Sequence, residues 1–402
     1  MKALQPKHMD IIETLANFAG HRSRLRKTDE SQDAEVARIQ AILARLAEGI
    51  PLEKNGFAGG GDSQLRTFID LFCGIGGFHI ALGGFGMECV FACDSDMFCR
   101  ATYSLNFGIL PAADIEKVSA DIVPAHDVLC AGVPCTTFSR SGGQAGTNDP
   151  RGRLYLHVLR LVEHHKPKVV LIENVGQFQN LDGGPAFNEI VESLRAWGYA
   201  VHHDILNAGD YGVPQRRDRL FIVGIRKNLL VREFRFPEPM GLKVDVASIL
   251  EPPCHAVQQI VKVGDWKRRE DSEIPWKRIG SGTIRLGSIQ KGSQGDRIYS
   301  IEGHAPTLTA SSGGWGAGTG LFIIDGIIRR LTARESARCI GFPDSYRFLW
   351  AQRKATSQAG NAVVANVVSE IMKQVFVAIG EPSPQKTASS GADCKSSPES
   401  AE

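Results

Sequence analysis

The 402-residue sequence lacks the features that mark several specialised classes of protein. Its formal net charge is only +2, which neither supports nor excludes nucleic acid as a partner, because binding needs a local basic patch. No apolar run reaches the roughly 18 residues that a membrane-spanning helix needs, and the N-terminus shows no signal-peptide pattern. We therefore expect a cytoplasmic protein that makes no membrane contact.

Metal-binding and disulfide patterns are also missing. The nine cysteines include no CxxC pair, and no histidine completes a zinc site near Cys89, Cys93 and Cys99. We expect no metal ion, and reduced buried thiols at most of these positions. The GxGxxG motif of nicotinamide-dependent dehydrogenases is absent as well.

What is present is the composition of a globular protein, with 43% hydrophobic and 22% charged residues. Residues 1–64 predict an N-terminal extension with a helical segment at 34–50 and a glycine-rich linker. Residues 65–240 alternate apolar runs with helical patterns, which predicts a doubly wound, Rossmann-like α/β domain. The runs TFIDLF, CVFACD, HDVLCAG, KVVLIEN and RLFIVGI are interpreted as its buried parallel strands.

The pattern changes beyond residue 240. Residues 241–331 are rich in glycine and polar residues and predict a smaller, mostly β domain. Residues 332–355 are interpreted as a hinge region, and 356–380 complete the α/β domain with a long helix at 361–379. The tail, 381–402, is rich in Ser, Pro and Ala and is predicted to be disordered.

A glycine-rich turn follows the first predicted strand in FIDLFCGIGGF (68–78). Glycine lets the backbone approach a ligand closely. Asp94 ends the next strand, 20 residues after Gly74, where a carboxylate can hold the two hydroxyls of a ribose. An ordinary tight turn with a surface aspartate is the alternative.

A cysteine and a carboxylate follow two further strands. Cys135 lies in GVPCTTFS (132–139), after Pro134 and before a polar loop, which favours a reactive thiol. A buried inert cysteine is the default alternative. Glu173 ends the KVVLI strand and is expected to face the same crevice. Arg217 and Arg219 enter the RLFIVGI strand on alternate positions, which points both to one side, toward a base and a phosphate backbone. A solvated basic turn is the alternative for these arginines.

Taken together and in order, these motifs resemble the signature blocks of the cytosine-5 DNA methyltransferase family. Two more blocks match it, RRLTARESARCIGFPDSY (329–346) and QAGNAVV (358–364), so the resemblance covers residues 66–376. It implies that Cys135 attacks carbon 6 of a flipped cytosine, that Glu173 holds the base, and that Arg219 contacts its O2 while Arg217 supports the site. Ser95 and Thr136 depart from the family's usual Trp and Gln.

The resemblance implies S-adenosylmethionine as the cofactor and double-stranded DNA as the partner. The cofactor would be held by Asp70, Phe72, Gly74, Ile75, Gly76, Asp94, Asp114, Ile115, Pro134, Leu154 and Asn361. DNA would be contacted by Ser139, Ser141, Arg151, Gln294, Arg297 and Thr307.

The stretches TIRLGSIQKGSQGDRIYS (283–300) and TLTA (307–310) resemble the recognition region of a family member that reads GCGC. Arg297 would grip a guanine, and Gln294 would fill the space left by the flipped cytosine. SSGGWGAGTG (311–320) departs from that pattern, so the site is predicted to contain GCGC and to be longer if flanking bases are read. A restriction endonuclease is the expected functional partner, and the chain is expected to act as a monomer.

Three alternatives stay open at this point. A tRNA methyltransferase shares the catalytic blocks. The roughly 90 residues at 241–331, between the arginine motif (215–219) and the final blocks, favour a DNA-reading domain instead. A dehydrogenase is disfavoured by the PC and ENV motifs. A regulator that has lost catalysis is disfavoured by the presence of Cys135, Glu173 and Arg219.

Overall fold

A computed structural model describes residues 64–134, 153–262, 267–268, 282–289, 294–310, 315–316 and 318–382. The predicted N-terminal helical segment and nearly all of the tail lie outside these residues. So do four predicted site residues, Cys135, Ser139, Ser141 and Arg151. Within the described residues, no helix is long and apolar enough to cross a bilayer.

The larger sheet has six strands in the order β2-β1-β3-β4-β6-β5. Its strands are β1 (Thr67–Leu71), β2 (Glu88–Cys93), β3 (Val128–Gly132), β4 (Val169–Val175), β5 (Tyr199–Asn207) and β6 (Asp218–Arg226). The first four are parallel, but β6 is antiparallel to both β4 and β5. The prediction of a parallel RLFIVGI strand was therefore wrong. Only a short turn segment, residues 208–217, joins β5 to β6, and such a connection pairs consecutive strands antiparallel.

Seven α-helices accompany the strands in the described part of the chain. They are α1 (Gly77–Gly83), α2 (Met97–Phe107), α3 (Tyr155–His165), α4 (Pro185–Ala196), α5 (Ala333–Arg338), α6 (Gln352–Asn361) and α7 (Ala365–Ala378). The helix predicted at 361–379 begins at Ala365, because Ala362 and Val364 have extended backbone and separate α6 from α7.

Alternate residues of the large sheet feed two hydrophobic layers. Phe68 and Leu171 point into the layer that contains α1 and α7, and Ile69 and Val170 point into the layer that contains α3 and α4. Both faces of the sheet are therefore covered by helices, which explains why its strands are almost wholly apolar. The carboxyl ends of the parallel strands are left as the open edge of the layered structure.

The second sheet confirms the predicted mostly β region. Its order is β11-β10-β9-β8-β7, formed by β7 (Lys267–Arg268), β8 (Arg285–Ser288), β9 (Arg297–Tyr299), β10 (Leu321–Ile324) and β11 (Ile327–Arg329). The Arg329 side chain makes two 2.8 Å hydrogen bonds to the buried Glu335 carboxylate, which joins β11 to the first turn of α5. This ion pair connects the small sheet to α5, which packs in the same hydrophobic layer as α1 and α7.

Candidate functional site

The carboxyl ends of β3 and β4 lie side by side. Gly132, the last residue of β3, is in register with Glu173 of β4. Val133 and Pro134 continue the chain beyond this edge, so the residue that follows Pro134 is Cys135, which lies outside the described residues. The register therefore brings the segment that leads to the predicted nucleophile next to the predicted base-holding carboxylate.

Arg219 forms an ion pair with Glu173. Its Nε lies 3.0 Å from Glu173 Oε1, and the two side chains are only 18% and 10% exposed. In the antiparallel register of β4 and β6, Arg219 is opposite Val175, two residues beyond Glu173. The Glu173 and Arg219 side chains therefore lie at the same end of the sheet. A carboxylate held this way has one edge fixed by the guanidinium and the rest of its acceptor capacity free for a planar ligand.

Arg217 is buried and does not share the position of Arg219. Its guanidinium donates to the carbonyls of Leu308, Gly360 and Ala362 at 3.3, 2.8 and 2.9 Å. Burial, and secondly the nearby charge of Arg219, lower the pKa of Arg217 to about 9. Because Arg217 lies just before β6 begins and is 2% exposed, its guanidinium is not presented to a phosphate backbone, and the support that it is predicted to give to the site stays a prediction.

The neighbouring Gln215 joins this region to residues 305–308. Its Nε2 donates to the Cys339 carbonyl at 2.9 Å, and its Oε1 accepts from the Leu308 amide at 3.0 Å. Thr307, a predicted DNA contact, donates its hydroxyl to the Arg216 carbonyl at 2.7 Å. Residues 305–308 are therefore held against residues 215–217 by both side-chain and backbone hydrogen bonds.

The glycine-rich turn after β1 has an unusual backbone. Phe72, Gly74 and Gly76 have φ values of 54°, 52° and 91°, all in the left-handed region. A Cβ at Gly76 would lie 2.2 Å from the Phe107 ring, so that position requires glycine, whereas no atom of the described residues lies within 4 Å of a Cβ at Gly74. The turn thus leaves open space beside Gly74, and the non-glycine strain at Phe72 marks it as a candidate ligand contact.

Asp94 faces this turn from the end of β2. One carboxylate oxygen accepts the Gly74 amide at 2.7 Å, and the other accepts the Asp96 amide at 2.8 Å. Burial raises the pKa of Asp94, while these two backbone hydrogen bonds oppose the rise. The carboxylate is therefore oriented by the backbone beside the open space.

The other predicted cofactor residues differ in their exposure. Asp70 and Ile75 are buried, and burial raises the pKa of Asp70 well above its usual range. Asp114 is half-buried and lies 3.1 Å from Lys117, whose hydrogen bond lowers the pKa of Asp114. Ile115 is buried, Pro134 and Leu154 are half-buried, and Asn361 is exposed at the end of α6.

The residues at this edge fit a nucleoside ligand that carries hydroxyls and a cationic group. The open space at Gly74 and the oriented Asp94 carboxylate suit a ribose. The buried Asp70 also has one carboxylate oxygen, Oδ1, without a hydrogen-bond partner in the described structure. An orphaned buried acceptor is uncommon, and it is compatible with a donor that a bound ligand supplies.

Several residues that shape this edge carried no signal in the sequence alone. Tyr346 donates its hydroxyl to the Ile75 carbonyl at 2.7 Å, which supports the glycine-rich turn from the far end of the chain. Lys354 lies 3.3 Å from Asp96 and 4.0 Å from the centre of the Phe98 ring. The Trp350 indole donates to the Phe98 carbonyl at 2.8 Å. Only the matching family blocks around Tyr346 could have indicated one of these contacts.

Of the predicted DNA-reading residues, the structure describes three. Arg297 begins β9 and pairs with Ser288 of β8. Gln294 begins the single 3-10 turn Gln294–Asp296 that precedes it. Thr307 lies against Arg216, to whose carbonyl it donates its hydroxyl. The second sheet thus presents Arg297 at a strand start, beside a turn.

Comparisons with known proteins agree with these features. The sequence model of the C-5 cytosine-specific DNA methylase family matches residues 66–377. The Type II methyltransferase M.HhaI of Haemophilus parahaemolyticus is 41% identical over 312 residues, covering 77% of this chain and 94% of that protein. M.HpaII of Haemophilus parainfluenzae is 36% identical over 327 residues, covering 78% and 90%. The crystal structure of the S. pombe Dnmt2 methyltransferase has a TM-score of 0.58 at 22% identity and covers 78% of this chain and 98% of that one, which shows a shared fold.

Proposed function

Because the chain belongs to the family of C-5 cytosine-specific DNA methylases, we propose that it methylates carbon 5 of a cytosine flipped out of duplex DNA, within a site that contains GCGC. Its enzyme class is DNA (cytosine-5-)-methyltransferase, as the family and the Type II relatives show. The observation that carries the mechanism is the Glu173–Arg219 ion pair, which adjoins the strand end that leads to Cys135.

The proposed reaction begins with Cys135. Carbon 5 of cytosine is a weak nucleophile, and addition of the Cys135 thiolate to carbon 6 forms an S–C6 bond and moves an electron pair toward carbon 5. That pair forms the new bond between carbon 5 and the methyl group. Removal of the carbon 5 proton then leaves the C–H electron pair, which re-forms the C5–C6 double bond and breaks the S–C6 bond. Cys135 then leaves as a thiolate, so the enzyme is regenerated.

Glu173 and Arg219 would stabilise the base during this addition. Glu173 would bind N3 and the exocyclic amine, where charge develops as the thiolate adds, and Arg219 would contact O2. Their 3.0 Å contact holds the two groups next to each other before the base arrives. Arg217 would not touch the base; its three carbonyl contacts instead fix the walls of the pocket.

S-adenosylmethionine, when bound, supplies an electrophilic methyl group. We propose that Asp94 binds its ribose hydroxyls, that Asp114 binds the adenine amino group, and that Phe72 and the glycine-rich turn form the floor of the site. Asp70, Ile75, Ile115, Pro134, Leu154 and Asn361 are proposed to complete the binding site. The open space at Gly74 and the orphaned Asp70 oxygen support this assignment.

We also propose which DNA sequence the enzyme recognises. We propose that residues 241–331 form the target-recognition domain and that the polar loop from Ser139 to Arg151 closes over the flipped base. The resemblance of residues 283–300 to a GCGC-reading region supports Arg297 as the guanine contact and Gln294 as the residue that replaces the flipped cytosine. Because the relatives are Type II methyltransferases, a cognate endonuclease is the proposed functional partner, with the enzyme acting as a monomer.

Two measurements test the proposal. Duplexes that contain 5-fluorocytosine at the target should trap the wild-type enzyme covalently, because fluorine cannot leave as a proton does, whereas Cys135→Ser should bind the same DNA without turnover or trapping. Bisulfite sequencing of DNA from expressing cells should show 5-methylcytosine in GCGC. Methylation by Cys135→Ser at near wild-type rate would refute the nucleophile, and methylation confined to other sequences would refute the site.

A further inference from the structure

One exposed aromatic side chain lies beside the proposed recognition turn. Of the tryptophans that the structure describes, Trp350 is 4% exposed and Trp197 is half-buried, but Trp315 is 44% exposed. An indole ring offers a large apolar face and one N–H donor, so an exposed tryptophan is a frequent contact in binding surfaces. The position of Trp315 in the fold indicates what it contacts.

The backbone at Trp315 is attached to the turn that precedes β9. The Trp315 amide donates to Asp296 Oδ1 at 3.3 Å, and the Gly316 amide donates to the Gly295 carbonyl at 2.6 Å. Asp296 is itself 7% exposed, and its carbonyl accepts the Ile289 amide at 2.8 Å. The backbone that carries the indole is therefore hydrogen-bonded to a turn that adjoins the second sheet.

This turn lies between the two residues assigned to sequence reading. Gly295 and Asp296, the hydrogen-bond partners of residues 315–316, are flanked in the chain by Gln294 and Arg297. DNA that places a guanine against Arg297 also brings its neighbouring base pairs close to the segment hydrogen-bonded to this turn, which carries the exposed Trp315.

A series of hydrogen bonds also connects Trp315 to the base pocket. Arg217 donates to the Leu308 carbonyl, and the next residue, Thr309, donates its amide to the Gly318 carbonyl at 2.9 Å. The Thr319 amide donates to the Gly316 carbonyl at 3.1 Å, which returns the chain to the residue after Trp315. The segment that carries the indole is thus braced at one end by the pocket and at the other by the recognition turn.

Resting on the proposed function, we propose that Trp315 contacts the DNA beside the base pair that Arg297 reads and sets a preference at the base pair flanking the core. The indole packs its face against a deoxyribose and the groove edge of the flanking base, where an apolar side chain distinguishes a thymine methyl from the other base edges. Trp315 lies in the stretch 311–320, which departs from the GCGC-reading pattern and on which the expectation of different flanking bases rests. It is a specificity residue and takes no part in the chemistry.

The experiment uses the full chain with Trp315→Ala, Trp315→Phe and the matched control Trp197→Phe, which changes a tryptophan at the end of α4. Genome-wide bisulfite sequencing first identifies the methylated core and the wild-type preference at each flanking position. Duplexes with that core and each flanking base pair are then bound to the purified variants. We expect Trp315→Ala to weaken binding to the preferred duplex about tenfold, with the preference flattened, and to leave the core unchanged.

Trp315→Phe keeps an aromatic ring and should retain most of the preference. The difference between wild-type and Trp315→Phe emission spectra isolates the Trp315 fluorescence, which the DNA duplex should quench, whereas Trp197→Phe should bind and methylate as the wild type does. Equal affinity and equal flanking preference in Trp315→Ala, or Trp315 emission unaffected by DNA, would overturn the inference. A methylated core other than GCGC would instead refute the proposed recognition sequence. The Trp315 variants would then be compared on duplexes that contain the core found by sequencing.

Discussion

The Arg219 guanidinium lies 3.0 Å from the Glu173 carboxylate, and the two residues stand on neighbouring antiparallel strands. This geometry follows from the reversed direction of β6, which brings the start of one strand beside the end of another. A parallel β6 would have placed Arg219 at the opposite edge of the sheet. The reversal therefore assembles the proposed base-binding pair.

Glu173→Gln tests that pair. The substitution keeps the shape of the side chain but removes the charge that Arg219 binds and that would stabilise the base during addition. We expect the single-turnover methylation rate to fall by roughly 10²–10³, with the KM for S-adenosylmethionine changed by less than about twofold. Glu192→Gln, on the exposed face of α4, is the control and should behave as wild type. A Glu173→Gln enzyme with unchanged rate would contradict the role.

Asp94→Ala and Asp114→Ala test the cofactor site. Asp94 loses both its proposed ribose contact and its hydrogen bond to Gly74, so we expect cofactor affinity to fall by about tenfold or more. Asp114→Ala should weaken it by a smaller factor, because that carboxylate is half-exposed. Calorimetric titration with S-adenosylmethionine measures both, and the KM for DNA should change little. Asp121→Ala, on an exposed turn, provides the control; equal affinity in all three variants would place the cofactor elsewhere.

Lys354→Met tests a residue that positions the turn after β2. Lys354 contacts both Asp96, which caps the start of α2, and the Phe98 ring. Loss of the cation should weaken binding of S-adenosylmethionine by roughly two- to fivefold, as a cation–π contact at a half-exposed site predicts. Lys354→Arg should restore most of the affinity, and the exposed neighbour Arg353→Met should leave it unchanged. Failure of the arginine variant to rescue binding would argue against a charge effect.

Arg217→Met tests the buried guanidinium. The substitution leaves three main-chain carbonyls, those of Leu308, Gly360 and Ala362, without their donor. We expect the free energy of unfolding in urea to fall by about 3–5 kcal/mol. Arg216→Met removes a half-exposed ion pair with Asp218, at 3.9 Å, and should cost less than about 1 kcal/mol. Comparable losses in the two variants would show that Arg217 does not hold the pocket walls.

His126→Asn tests the effect of a buried neutral histidine on acid stability. Burial lowers the pKa of His126 from 6.5 to about 4, so below pH 6.5 the unfolded chain takes up a proton that the folded protein does not. Its contribution is complete above the unfolded pKa and is lost as the pH falls toward 4. Between about pH 7.5 and about pH 5 the wild type should lose about 2 kcal/mol more than His126→Asn. Asparagine keeps a donor for the Pro124 carbonyl; identical pH slopes in urea unfolding would contradict this assignment.

The glycine-rich turn and the buried strands could be predicted from the sequence because their signals are local. The turn at Gly74 and Gly76 is recognisable because backbone sterics favour glycine at positive φ. Asp94 is recognisable because it follows the next strand, only 20 residues further along the chain. Buried strands are likewise recognisable from continuous apolar runs, and all five predicted runs contain strands of the large sheet. The roles of Cys135 and Glu173 came from the family resemblance, since one carboxylate and one thiol carry little information by themselves.

Only the tertiary structure decided how these pieces meet. The direction of β6, the burial of Arg217 among carbonyls from residues 308, 360 and 362, and the contact of Lys354 with Asp96 all join segments that are distant in the chain. Arg217 and Arg219 belong to one short motif, yet one bonds main-chain carbonyls in the interior and the other faces Glu173. Sequence alone determined which residue types stand at the sheet edge, because strand and turn propensities act over a few residues. Which arginine is buried depends on the approach of residues 308, 360 and 362 to the segment before β6, a long-range property that no local pattern encodes.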